Sequence, residues 1–217
     1  IRFMKLLTIG CSWTYGDELE NIQEHRFSSI LGRKLGADVD NLAMNGYSNH
    51  AIARIFLETD ISEYDLVLMQ MTHPSRTEWY DKEGKSTYHK RQVQKKLYPN
   101  KVFTREPKIK SEWSNIMVDR EHFMSTGHLI DGKEWWVRYY EELYDDKYGE
   151  SDEMLFFHLI KNKLTNMSIS HVMMTINKKT KLPFDLQLNI ERYPRAKGNH
   201  PNLFGHRMIA KDIFALL

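Results

Sequence analysis

The sequence predicts a three-layer α/β/α sandwich built on a mostly parallel sheet, and three observations predict it. Short apolar runs recur at residues 3–9, 39–46, 65–71 and 169–176, each suited to a strand. Helix-spaced apolar residues lie between them, at 27–35, 51–58 and 153–164. Strand and helix therefore alternate at a spacing that gives each parallel crossover the helix it needs. The third observation is size: 217 residues, 41% of them hydrophobic, can bury the core of one α/β domain.

The first run, FMKLLTI (3–9), stops at Gly10 and reads as a strand buried on both faces. Phe27, Ile30, Leu31 and Leu35 share one face of a helix that Gly36 can terminate. VDNLAMNG (39–46) predicts a second strand that runs into a loop, AIARIFLE (51–58) a helix, and DLVLMQM (65–71) a third strand. From Asp81 to Lys110 the chain is rich in lysine, broken by Gly84 and Pro99, and weakly periodic, which predicts an excursion or lid. KEWWVRYYEELYDDKY (133–148) predicts an aromatic-dense helix, and EMLFFHLIKNKL (153–164) an apolar-faced one. ISHVMMTI (169–176) predicts a further strand and GHRMIAKDIFALL (205–217) a terminal helix. The expected organisation is one domain over 1–217 with an insertion at about 80–150.

Composition narrows the functional classes. A formal net charge of +2 is too small to imply a nucleic-acid partner. One cysteine excludes an internal disulfide framework. The opening IRFMKLLTIG is too short to span a membrane and does not read as a secretory signal, so a cytoplasmic or virion-associated location is expected. The ten histidines include His25, His73, His122, His128, His158 and His171, too dispersed to form a site, and no HExxH is present. Neither a metal nor a cofactor is expected.

Two sites at opposite ends of the chain carry chemistry. Ser12, in GCSWTYG, follows the first strand, where a strand-to-helix turn would raise its hydroxyl above the carboxyl edge of the sheet. The free N–H groups opening that helix can face developing negative charge; an N-cap is the other reading of the serine. His200, in NHPNLFG, precedes a proline and a helix start, a position suited to a base for a serine as well as to a surface turn. His206, six residues on, reads as structural.

Taken together, GCSWTYG, NLAMNGYSN and HPNLFGHRMIA resemble the conserved blocks of the SGNH hydrolases, also called the GDSL esterase/lipase family. Gly10, Ser12, Thr14 and Gly16 match the first block, with Cys11 where aspartate is usual. The resemblance implies Ser12 as nucleophile, His200 as general base, and the N–H groups of Ser12 and Gly46 as oxyanion donors. It covers roughly residues 3–76 and 169–217. Two further positions depart from it. The third block supplies an asparagine side chain as oxyanion donor, whereas LMQMTHPSR puts Thr72 there, or His73 if the register slips, with Gln70 able to compensate only if it points upward. The acid three residues before the histidine is replaced by Lys197, so His200 needs a backbone carbonyl or another carboxylate, such as Asp185, to orient it.

The remaining candidates follow from position. Cys11 should face the core if Ser12 faces the cleft. Asn49 is placed to brace the loop after Gly46 or to cap the helix at 51–58, and Arg76 is the cation nearest the cleft, for substrate or for a surface ion pair. Trp79, Trp135, Trp136, Tyr139 and Tyr140 suit a sugar-stacking wall, a packed core or an oligomer contact. The expected activity is hydrolysis of small acyl esters, O-acetyl carbohydrate among them, through a Ser–His dyad or atypical triad. The alternative class is an inactive binding or assembly protein on the same fold, using its aromatic middle segment.

Overall fold

The computed structural model describes residues 3–80, 123–125, 139–189 and 191–217. The strands within them are β1 (Met4–Ile9), β2 (Ala37–Asn41), β3 (Leu66–Met71), β4 (Glu78–Tyr80), β5 (Phe123–Ser125), β6 (Ser170–Thr175) and β7 (Leu186–Gln187). Five form a parallel sheet in the order β2-β1-β3-β6-β7, and β4 pairs with β5 in a separate antiparallel ladder. The helices are α1 (Ser12–Tyr15), α2 (Ile22–His25), α3 (Phe27–Leu35), α4 (Asn49–Glu58), α5 (Asp146–Asn166) and α6 (Leu203–Phe214).

Pleating divides the strand residues between two helical layers. Leu6, Leu66, Leu68, Val172 and Met174 pack with Phe27 and Leu31 of α3 and Ile209 and Ile213 of α6. Leu7, Ile9, Val67, Met69 and Met173 face the other way, against Ile52, Ile55 and Phe56 of α4 and Phe157, Ile160 and Leu164 of α5. The chain thus folds as a three-layer α/β/α sandwich, and every residue of β3 is buried. Full burial of each such apolar side chain contributes about 1.5–3 kcal/mol, which explains why the central strands carry uninterrupted apolar sequence.

Several boundaries differ from expectation. β2 spans 37–41 rather than 39–46, because Gly36 ends α3 with a left-handed residue (φ 64°) and the chain enters the sheet at once. Asn41 then closes the strand: its amide donates to the Thr14 carbonyl (3.0 Å) and Ser28 Oγ (3.1 Å), and its oxygen accepts from Ala43 N (2.9 Å). The helix expected over 133–148 is not continuous where described. A π-helical turn, Tyr139–Leu143, ends before Asp145, whose carboxylate caps α5 by accepting from Lys147 N at 2.7 Å. The expected helix at 153–164 is the later part of that longer α5. Residues 81–122 and 126–138, which include most of the expected insertion, lie outside the described residues.

In this strand order β1 lies between β2 and β3, and the connections from its two sides run in opposite directions. A crevice opens at such a point, at the carboxyl ends of the strands. Ser12 begins there, three residues past Ile9.

Candidate functional site

The turn that carries Ser12 is shaped from below by Gln70 of β3. Gln70 Oε1 accepts from Cys11 N (3.0 Å) and from the Thr14 hydroxyl (2.9 Å), while Nε2 donates to the Met71 carbonyl (2.7 Å). A Cβ on residue 10 would fall 2.8 Å from Gln70 Oε1 and 2.9 Å from Gln70 Cβ, so glycine is needed there. Gln70 is fully buried and engaged by this turn, so it braces the turn rather than pointing upward into the cleft. Cys11 is fully buried in the core, as expected, and Ser12 is 6% exposed. As the first residue of α1, Ser12 has an N–H with no acceptor inside the helix.

His200 reaches Ser12 from the opposite end of the chain. Its loop is folded on itself by Ala196 N donating to the His200 carbonyl (2.9 Å) and Asn202 N donating to the Pro194 carbonyl (2.9 Å). Asn202 then caps α6, accepting from Gly205 N at 3.1 Å. This geometry sets His200 Nε2 3.0 Å from Ser12 Oγ. On the far side of the ring, Nδ1 lies 2.8 Å from Glu18 Oε2 and 3.8 Å from Asp17 Oδ2.

Glu18 holds the histidine loop as well as the ring. Its carboxylate accepts from Gly198 N (2.6 Å) and from His200 N (3.2 Å). A Cβ on residue 198 would fall 2.7 Å from the Glu18 carboxyl carbon, so a side chain there would push the Glu18 carboxylate from this position. Glu18 itself adopts a left-handed backbone, φ 67°, unusual outside glycine. Burial acts to raise its pKa, but the two backbone N–H groups and His200 outweigh it and hold the carboxyl below its ordinary range. An ionised carboxylate accepts only, so in the neutral ring Nδ1 carries the proton and Nε2 can accept from the Ser12 hydroxyl.

The other expected residues fall around this centre. Gly46 turns the chain between β2 and α4 with φ 79°. Ser48, not Asn49, caps α4, its hydroxyl accepting from Ala51 N at 3.1 Å. The Asn49 amide instead grips the backbone of Thr72, accepting from its N–H (2.8 Å) and donating to its carbonyl (3.2 Å). Thr72 is fully buried, and its hydroxyl makes no hydrogen bond among the described residues. Arg76, half-buried, reaches the Tyr47 carbonyl at 3.5 Å. Burial and the Arg76 charge lower the pKa of His73. Lys197 is exposed.

Asp185 does not approach His200 Nδ1. It sits at the β6–β7 side of the sheet, where its carboxylate accepts from Met173 N at 2.7 Å. Glu18 is the carboxylate that sequence reasoning missed; the available signal was the acidic pair Asp17–Glu18 directly after Gly16. Beside the Ser12 turn, a cavity of about 400 Å³ is lined by Trp13, His73, Ile176, Asn177 and Leu188, with Lys179 and Glu150 also contributing. Of the aromatic candidates, Tyr139 packs its ring 6.3 Å from that of Tyr144. The side chains of Trp79, Trp135, Trp136 and Tyr140 lie outside the described residues.

Among the described residues, no group of three or more His, Cys, Asp or Glu is arranged to hold a metal ion, and no helix is long and apolar enough to cross a membrane. No family model matches the sequence, and no curated protein does. Solved structures similar to this chain include a G-D-S-L family protein from Desulfitobacterium hafniense DCB-2, at 11% identity and TM-score 0.49, covering 99% of both chains. The lipase Lip_vut3 from a goat rumen metagenome matches at 10% identity and TM-score 0.49, over 98% of this chain and 97% of its own. The acetyl xylan esterase AlAXEase matches at 11% identity and TM-score 0.49, over 99% of this chain and 100% of its own.

Proposed function

We propose that this chain is a divergent SGNH hydrolase, a serine esterase in which Ser12 is the nucleophile and His200 the general base. The observation that carries this reading is the 3.0 Å approach of His200 Nε2 to Ser12 Oγ, between residues 188 positions apart. That distance lies within the range required for general-base activation of a hydroxyl. The resemblance of the three sequence blocks points the same way.

In the proposed reaction Ser12 Oγ attacks the ester carbonyl carbon as its proton passes to His200 Nε2. The carbonyl oxygen becomes an oxyanion, facing the N–H of Ser12 and, by the resemblance, that of Gly46. Thr72, at the third donor position, is fully buried with its hydroxyl closed off from solvent, so in this reading the two backbone N–H groups carry the oxyanion. Asn49 fixes the backbone of Thr72 from behind. Collapse of the intermediate expels the alcohol, which takes the proton from His200. Water, deprotonated by His200, then attacks the acyl-enzyme; as the acid leaves, His200 returns the proton to Ser12 Oγ. One oxyanion donor of this kind is worth about 3–4 kcal/mol of transition-state stabilisation.

The substrate class we favour is a small acyl ester, O-acetyl carbohydrate among them, because Arg76 stands near the Gly46 turn to meet a polar group. The cavity of about 400 Å³ lies alongside and is reached through Trp13, the residue after Ser12, while Ser12 and His200 do not line it. The test is turnover of 4-nitrophenyl acetate together with labelling by an organophosphonate. Ser12→Ala should abolish both, and peptide mapping should find the label on Ser12. A folded parent with no Ser12-dependent turnover and no label would overturn the esterase reading and favour a binding protein on this fold.

A further inference from the structure

We infer that Glu18 is the carboxylate that positions His200 and balances its charge, replacing the acid that the SGNH pattern places three residues before the histidine. The inference rests on the reading of Ser12 and His200 given above and adds the third member of the site. Position 197, where the acid is usual, holds an exposed lysine. A cation there would oppose an imidazolium rather than stabilise it. Glu18 supplies what is missing, from a different element: it lies six residues after Ser12, on the turn that follows the nucleophile's own helix.

Three independent contacts support this role. Glu18 Oε2 stands 2.8 Å from Nδ1, the nitrogen remote from Ser12. The same carboxylate takes the N–H groups of Gly198 and His200, so it fixes the backbone that carries the ring as well as the ring itself. Gly198 and the left-handed Glu18 backbone are the local adjustments that allow the two turns to meet. Asp17 Oδ2, 3.8 Å from Nδ1, is too distant for a hydrogen bond but adds a second negative charge on that side.

During attack, the proton that leaves Ser12 Oγ binds Nε2 and the ring becomes positively charged. Glu18 stays ionised throughout; its Nδ1 hydrogen bond keeps Nε2 aimed at the serine and stabilises the imidazolium. No proton is transferred to Glu18. The arrangement places nucleophile and carboxylate on one short stretch, residues 12–18, with only the base brought from elsewhere.

Glu18→Gln tests this directly, because the amide oxygen can still accept from Gly198 N–H while the charge is gone. With 4-nitrophenyl acetate, kcat should fall on the order of 10³–10⁴-fold, with KM within about twofold, as expected for an interaction made mainly in the transition state. Asp17→Asn should lower kcat by less than about tenfold. A readout independent of turnover is the downfield Nδ1 proton of His200 in ¹H NMR, expected in the parent and in Ser12→Ala and absent in Glu18→Gln.

Lack of that resonance in the parent, or its persistence in folded Glu18→Gln, would overturn the inference. So would Glu18→Gln retaining kcat within about twofold, or Asp17→Asn producing the larger loss. If no Ser12-dependent turnover occurs but the resonance is present and depends on Glu18, the positioning contact stands and the esterase reading falls.

Discussion

His206 lies one helical turn into α6, fully buried, with Nδ1 accepting from the N–H of Phe27 at 3.1 Å. Phe27 is the first residue of α3, whose preceding Arg26 provides no side-chain cap, so the imidazole satisfies an N–H that would otherwise be orphaned. Burial, with a smaller contribution from His200, pushes the His206 pKa down to about 3 from 6.5. A depressed value means that the unfolded chain takes up the proton first. Stability should therefore be intact above pH 6.5 and should fall as pH drops from 6.5 towards 3. Glu18 acts in the same direction lower down: its contribution is complete above 4.5 and is lost as pH falls through its lowered folded value. His206→Asn keeps an acceptor for Phe27 but removes the titration, so urea midpoints measured from pH 7 to pH 4 should decline less steeply than in the parent. Ser12 and His200, which the fold brings to 3.0 Å, stand out in the sequence because their blocks are local motifs with glycine and proline at fixed offsets. Glu18 does not, since its role depends on a loop 182 positions away folding back to meet it. Gln70 stands in the third-block stretch of the sequence, but only the fold shows that its amide points at the Ser12 turn.

Elements that bury both faces announced themselves, and those held by a few polar contacts did not. β1, β3 and β6 follow their apolar runs to within about a residue at each end, because a strand between two helical layers has little freedom in composition. β7 has two residues and follows Asp185, whose backbone and side chain both bond to Met173; no periodicity can reveal so short a strand. The break before α5 was similarly hidden, since it depends on Asp145 acting as a cap within a long helix-compatible run. One contact between elements is electrostatic. Arg54 of α4, 9% exposed, binds Glu78 at the start of β4 through two hydrogen bonds of 2.9 and 2.7 Å, and Glu58 one turn away at 3.3 Å. Burial would lower the Arg54 pKa, but Glu78 and Glu58 raise it overall. Arg54→Met should cost about 3–5 kcal/mol, because it leaves two buried carboxylates without this cation. Denaturant unfolding would measure that loss. Adding Glu78→Gln should recover part of it, giving a positive coupling in the double-mutant cycle.

Across the whole molecule, the parallel sheet gathers Ser12, Thr72 and the Ile176–Lys178 turn at one edge while leaving β4 and β5 as a separate ladder outside it. In that ladder Tyr80 stands directly opposite Phe123. The two positions between which residues 81–122 depart and return are thus neighbours. An antiparallel pair with this register can be closed by two residues in a type I′ turn, such as Asn-Gly. Replacing residues 81–122 with Asn-Gly should lower the loop-closure cost by on the order of 2 kcal/mol, and a shortened protein that unfolds at no lower temperature than the parent would show that the sandwich stands without them. Calorimetry would measure that temperature, and phosphonate labelling would show whether Ser12 keeps its reactivity. Retention of both makes the ladder a socket: a peptide tag, a fluorescent reporter or a recognition loop from another protein could be exchanged there as a cassette, leaving the chemistry at the sheet edge to run independently of what is plugged in.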